Sequence, residues 1–146
     1  MDAESSAAVW LQEGRGASGT RLEVGDKGFK DLAVWQQAKD LAVLTYRVSD
    51  SEMKGVDFGL KDQIRRSAVS VASNLAEGDE RGTDKESIRY FFMAKGSVAE
   101  LRTQLQIAHE SGHLNKTIYE TLETDYAILG KRIGKLIQAR RTPSRP

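Results

Sequence analysis

Apolar positions recur at spacings of three and four through most of the chain, and the pattern is densest from Asp62 to Gly78, DQIRRSAVSVASNLAEG. On a helix turning about 100° per residue, Leu60, Ile64, Ala68, Val71, Ala72 and Leu75 fall on one face. Val69 and Ala76 widen that face to about half the circumference, so the spacing predicts a helix wrapped by others. The opposite arc carries Ser67, Ser70, Ser73 and Asn74, with no long charged side chain until Glu77. Solvated helix positions favour Lys, Glu and Arg over Ser, so this small polar arc is expected to lie against a second helix and to serve as a subunit contact.

Three further helices follow from the same periodicity. Asp31 is placed to cap the first, which runs to about Val48 with Leu32, Trp35, Ala38, Leu41, Ala42, Thr45 and Val48 as its buried stripe. Ser49 to Gly59 reads as a connection with room for a short helical turn. After the Gly78–Gly82 break, Thr83 and Glu86 form a capping box for a third helix. Phe91, Ala94, Val98, Leu101, Leu105 and Ala108 make its seam, and Ile88, Phe92 and Ala99 a second stripe beside it. Lys95 and Arg102 sit between the two stripes, so their stems are expected to cross apolar surface with the charges at its edge. Gly112 stops this helix. A fourth begins after Asn115 or Lys116 and carries Tyr119, Leu122, Tyr126, Leu129, Ile133 and Leu136. The expected fold is all-α: an up-down-up-down antiparallel four-helix bundle over residues 29–141. A glycine-rich stretch, residues 1–28, reads as a flexible leader with Trp10 as an exposed aromatic, and residues 142–146 as a tail.

Composition narrows the function classes. A length of 146 residues supports one core, and two prolines, both near the end, leave long stretches free to be helical. The absence of cysteine excludes disulfides, thiolate metal sites and cysteine nucleophiles, and fits a reducing cytoplasm. No apolar run is long enough to cross a bilayer, so a soluble cytoplasmic protein without a membrane partner is expected. The net charge of +1 hides an uneven distribution: residues 126–146 hold Lys131, Arg132, Lys135, Arg140, Arg141 and Arg145 without one acid. Such a run, with no aromatic beside it, suits weak, sequence-independent contact with phosphates, although cations near a helix C-terminus also complement its dipole. Lys61, Arg65 and Arg66 form a second candidate phosphate surface, with Asp62 placed one turn before Arg66 to pair with it.

Catalytic chemistry has one candidate. His109-Glu110-Ser111-Gly112-His113 fits H-E-x-x-H, in which two histidines one turn apart hold zinc and the glutamate activates water. Gly112 falls inside the motif and breaks the required geometry, and no third ligand stands at a standard spacing. No catalytic residue, metal ligand or cofactor is therefore assigned. Gly78 to Gly82, GDERG, lacks the alternating oxygen ligands of a calcium loop and reads as a turn.

Several segments carry a family resemblance: FKDLAVWQ at Phe29–Gln36, QIRRS at Gln63–Ser67, SNLAEG at Ser73–Gly78, Arg81-Gly82, and GSVAELRTQL at Gly96–Leu105. Together they resemble the bacterial four-helix-bundle proteins first noticed as open reading frames inside intervening sequences of large-subunit ribosomal RNA genes. The chain departs from that pattern at Ala72, where a proline is common. It is more distantly similar to the accessory protein of diversity-generating retroelements, which works beside a reverse transcriptase. The resemblance implies a homopentameric ring with RNA, DNA or a reverse transcriptase as partner, and no zinc site at the H-E-x-x-H run. A non-enzymatic scaffold or accessory protein with weak nucleic-acid binding is the leading expectation. The alternatives are a protein–protein interaction module and, behind it, a zinc hydrolase.

Overall fold

A computed structural model describes residues 28–53, 55 and 57–142; residues 1–27 of the leader, with Trp10, and residues 143–146, with Arg145, lie outside the described residues. A short 3-10 turn, Gly28–Asp31, precedes four α-helices: α1 (Ala33–Ser51), α2 (Phe58–Asp79), α3 (Asp84–Glu110) and α4 (Lys116–Arg141). Each helix packs on its neighbours in chain order and α1 closes against α4, while the backbones of the diagonal pairs stay farther apart. The result is an up-down antiparallel four-helix bundle with no strand among the described residues.

The helix boundaries have local causes. Asp57 starts α2 by accepting the Gly59 amide at 2.9 Å, Thr83 starts α3 by accepting that of Glu86 at 3.2 Å, and Asn115 starts α4 by accepting that of Ile118 at 2.9 Å. The expected cap at Asp31 is corrected. The amide of Leu32 bonds the Phe29 carbonyl at 3.0 Å, which closes the 3-10 turn, and Leu32 becomes the N-cap without a side-chain bond. At the end of α3, Gly112 takes φ +84°, and the amide of His113 reaches back to the Ala108 carbonyl at 2.8 Å.

The periodic positions meet in one core. Ile64, Ala68, Val71 and Leu75 of α2 are buried with the whole α3 seam and with Leu122, Tyr126, Leu129 and Ile133 of α4. Trp35, Leu60, Ala72, Tyr119 and Leu136 are half-buried at its edge. Val34, Leu44, Met53, Leu114, Ile118 and Ile137 are buried as well, outside the predicted stripes. Val69, expected to widen the buried face, is 44% exposed, and in the second α3 stripe Phe92 and Ala99 are exposed. The small polar arc of α2 does admit a close neighbour: Ser67 is buried, and Ser70 shares a 2.9 Å hydrogen bond with Ser97 of α3. The Asn74 amide donates back to the Ser70 carbonyl at 2.9 Å, and Ser73 faces solvent.

Two buried contacts make the packing specific. A Cβ at Gly78 would lie 2.7 Å from a ring carbon of Phe91 and 3.0 Å from the Ser87 carbonyl, so α2 and α3 approach there as only glycine permits. The Thr45 hydroxyl donates to the Leu41 carbonyl at 2.7 Å, so its 2.7 Å contact with Tyr126 is donated by the Tyr126 hydroxyl. Gly78→Ala is expected to cost about 1–3 kcal/mol in thermal unfolding, because neither the ring nor the carbonyl can retreat without opening the core. Tyr126→Phe removes one buried hydrogen bond while Thr45 keeps its own acceptor, and should cost about 1 kcal/mol. Burial pushes the Tyr126 hydroxyl above its ordinary range. Its contribution is therefore complete below about pH 10 and is lost as pH rises further, since the unfolded tyrosine ionises first. Alkaline denaturation of Tyr126→Phe should be correspondingly less steep.

Candidate nucleic-acid interface

The basic residues of α4 separate into two sets. Arg140 turns inward to bond Asp79 at 2.9 Å, with its guanidinium 5.4 Å from the centre of the Phe91 ring. Arg132 donates to the Gln37 side chain of α1. Both tie helices together. Lys131, Lys135 and Arg141 point the other way, into a groove of about 770 Å³ between α3 and α4. Lys131 and Lys135 stand one turn apart, about 6 Å along the axis.

Helix α3 completes the groove. The antiparallel register places Phe92 under the Arg141 guanidinium at 5.1 Å, Lys95 beside Gly134, Val98 beside Gly130, and Arg102 beside Glu123. Lys95, Arg102 and Phe92 line the groove with the three α4 cations, and no described lining residue is acidic. Arg102 is compensated from the edge, where Nε and a terminal nitrogen both donate to one oxygen of Glu123, at 2.9 and 2.6 Å; that hydrogen bond raises its pKa further. Among the described residues no ion pair engages Lys95, Lys131, Lys135 or Arg141. Four cations with exposed stems over an apolar floor are available to an anion.

Gly130 and Gly134 form part of that floor. A Cβ at Gly134 would find only the Lys95 ammonium within 4 Å, at 3.8 Å, and one at Gly130 would meet Val98 at 3.4 Å. Both are ordinary contacts, so the bundle itself does not require glycine at either place. Glycine costs about 1 kcal/mol relative to alanine in a helix interior, and what it leaves here is depth.

In the second basic candidate both arginines have acidic partners, while no ion pair among the described residues engages Lys61. Arg65 donates to the Ser49 hydroxyl at 2.6 Å and pairs with Asp50, and Arg66 pairs with Asp62 at 2.8 Å. That contact raises the pKa of Arg66, chiefly through the hydrogen bond. The H-E-x-x-H run also has a structural use. His109 stacks on Tyr119 with ring centres 4.6 Å apart, and its Nδ1 lies 2.9 Å from the Leu114 carbonyl. A carbonyl only accepts, so Nδ1 carries the proton. His113 lies beyond Gly112, outside the helix, and no cluster of three metal-ligating side chains occurs among the described residues.

The family model for the 23S rRNA-intervening sequence protein matches residues 30–135. The chain belongs to this family. A crystal structure of a protein of unknown function from the S23 ribosomal protein family, from Bacteroides thetaiotaomicron, superposes with a TM-score of 0.65 at 19% identity, covering 72% of this chain and 98% of that one. At that identity the match speaks for the fold alone. No curated protein matches. The family match covers the first three helices and α4 as far as Lys135, so it contains Lys95, Arg102, Lys131 and Lys135 but not Arg141. The likeness to the accessory protein of diversity-generating retroelements rests on the sequence resemblance alone.

Sequence periodicity had already set Lys95 and Arg102 apart, seven residues from each other between two apolar stripes. Their convergence with Lys131 and Lys135 needed the α3–α4 register. Denaturant titration provides a check. Arg140→Ala should cost about 1 kcal/mol, whereas Lys131→Ala should stay within about 0.5 kcal/mol of the parent. Gly134→Ala should be neutral or stabilising by up to about 1 kcal/mol.

Proposed function

We propose that this protein is a non-enzymatic, homo-oligomeric helical-bundle scaffold that makes weak, sequence-independent contact with nucleic acid through the α3–α4 groove. The observation that carries it is the convergence of Lys95, Lys131, Lys135 and Arg141 on one groove with no ion-pair partner among the described residues. Phosphates are the ligand such an array suits, and contact by lysine heads reads charge rather than sequence. The words that describe the family, and the ribosomal family of the structural neighbour, make RNA the first polymer to test.

Self-association has separate support. Val43, Tyr46 and Val69 are 45%, 42% and 44% exposed around a hollow of about 370 Å³ between α1 and α2, across the bundle from the groove. Ser73 and Asn74 lie on the same helix as Val69. An assembly built partly through this surface leaves the groove open, and several grooves on one particle strengthen binding through effective concentration. The same exposed patch also favours a second reading, a module that binds another protein, of which a reverse transcriptase is one candidate.

Light scattering should give a mass several-fold above the 16.2 kDa chain, near five chains if the ring expectation holds. A concentration-independent mass near 16.2 kDa would remove the oligomer. RNA affinity should fall with salt at a log–log slope of roughly −0.7 per engaged phosphate on single strands. Lys131→Gln with Lys135→Gln should flatten that slope and leave helical circular dichroism intact. Arg65→Gln with Arg66→Gln should leave the slope unchanged, and the opposite pattern would move the site to α2.

A further inference from the structure

The α4 basic run holds no aromatic, but the groove does: Phe92 of α3 is 43% exposed and stands under Arg141 at its end. A phenyl ring outside the buried core, covered by a planar guanidinium, is a pair of flat surfaces, one apolar and one cationic. Bases stack on both kinds of surface, and base-on-aromatic stacking tolerates any sequence because every base has a π-face. From this end the groove continues past Lys95 and Lys135 to Lys131, with side-chain-free backbone at Gly134 and Gly130 along its floor.

We propose that the α3–α4 groove is a single-strand nucleic-acid site in which an unpaired base stacks on the Phe92–Arg141 pair while Lys95, Lys131 and Lys135 hold the adjoining phosphates, a claim that deepens, and rests on, the nucleic-acid reading above. Three features favour a single strand over a duplex. The cations come from both helices of a groove whose packed axes lie about 8–10 Å apart, which has width for one strand between them and not for two. The aromatic lies at the channel's end among those cations, where only a base turned out of a helix can reach it. The floor is apolar, lined by Val98, Ala99 and Ile137, which suits the faces of unpaired bases. Duplex contact would use the lysines and ignore Phe92.

The test uses the full chain with two fluorescein-labelled strands of equal phosphate count, oligo-dT of about 15 nucleotides and an abasic strand, a size within what single-strand sites cover, and a labelled duplex of matched length as the third probe. Anisotropy at low salt should give oligo-dT at least about five-fold tighter binding than the abasic strand, the lower end of what one stacked base contributes. Phe92→Leu should erase that difference and Phe92→Tyr should keep it. Phe92 is outside the buried core, and unaltered circular dichroism of both variants would place the effect in the groove. Equal affinity for oligo-dT and the abasic strand overturns the stacking site and leaves phosphate contact standing. No binding of any probe overturns the nucleic-acid reading itself. Displacement of oligo-dT by polyglutamate of matched charge as readily as by unlabelled oligo-dT also overturns the proposal, since the groove would then read charge alone and suit an acidic peptide equally.

Discussion

The contact of Gly78 with Phe91 is the constraint on which the rest of the bundle depends. Without a side chain at Gly78, α2 comes against the Phe91 ring, and the bend from α2 into α3 closes in four residues. The same end gathers the other elements: Glu80 accepts the Phe29 amide at 3.3 Å, and Asp79 accepts from Arg140, whose guanidinium lies over Phe91. Phe29 in turn packs edge-on against Trp35, with ring centres 5.1 Å apart. The 3-10 turn and all four helices thus converge on a few residues. Burying Phe91 stabilises by about 1.5–3 kcal/mol, more than any one of the polar contacts around it.

That arrangement also sets the polarity of the surface. Arg140 and Arg141 are adjacent, as are Phe91 and Phe92, and in each pair one residue is used internally while the next faces the α3–α4 groove. A helix turns about 100° per residue, so a residue held at the centre of one face leaves its neighbour at that face's edge or beyond it. The inward pair locks the register and the outward pair is then placed by it. Arg132 and Lys131 divide the same way, the arginine reaching Gln37 of α1 and the lysine the groove. Arg132 and Arg140 use a planar fork to hold a partner, while Lys131 and Lys135 keep a mobile point charge in the groove.

The H-E-x-x-H run illustrates how a motif loses its chemistry through backbone geometry. Zinc binding needs both imidazoles on one helical face. Here the helix unwinds at Gly112, whose positive φ turns the chain toward Leu114, and His109 is drawn into holding that turn by its proton and by its stack on Tyr119. The buried Leu114 beneath it anchors the crossing from α3 to α4.

Local spacing was enough to identify the four helices, the seams of α3 and α4, the Thr83 cap and the Gly112 stop, because each depends on residues within one or two turns. It also pointed to a close neighbour for Ser67 and Ser70, since small polar side chains have little reason to cover a solvated face. It misassigned Asp31 as a cap, because the Leu32–Phe29 turn bond competes for the same stretch of backbone. It placed Phe92 beside the core because apolar character does not reveal whether a partner helix lies opposite. The basic run of α4 was legible as charge, but its division into internal and available cations was not. That division depends on Asp79, Gln37 and the α3 residues, which lie 61, 95 and about 40 positions away, and only the antiparallel register of the folded bundle brings them within reach.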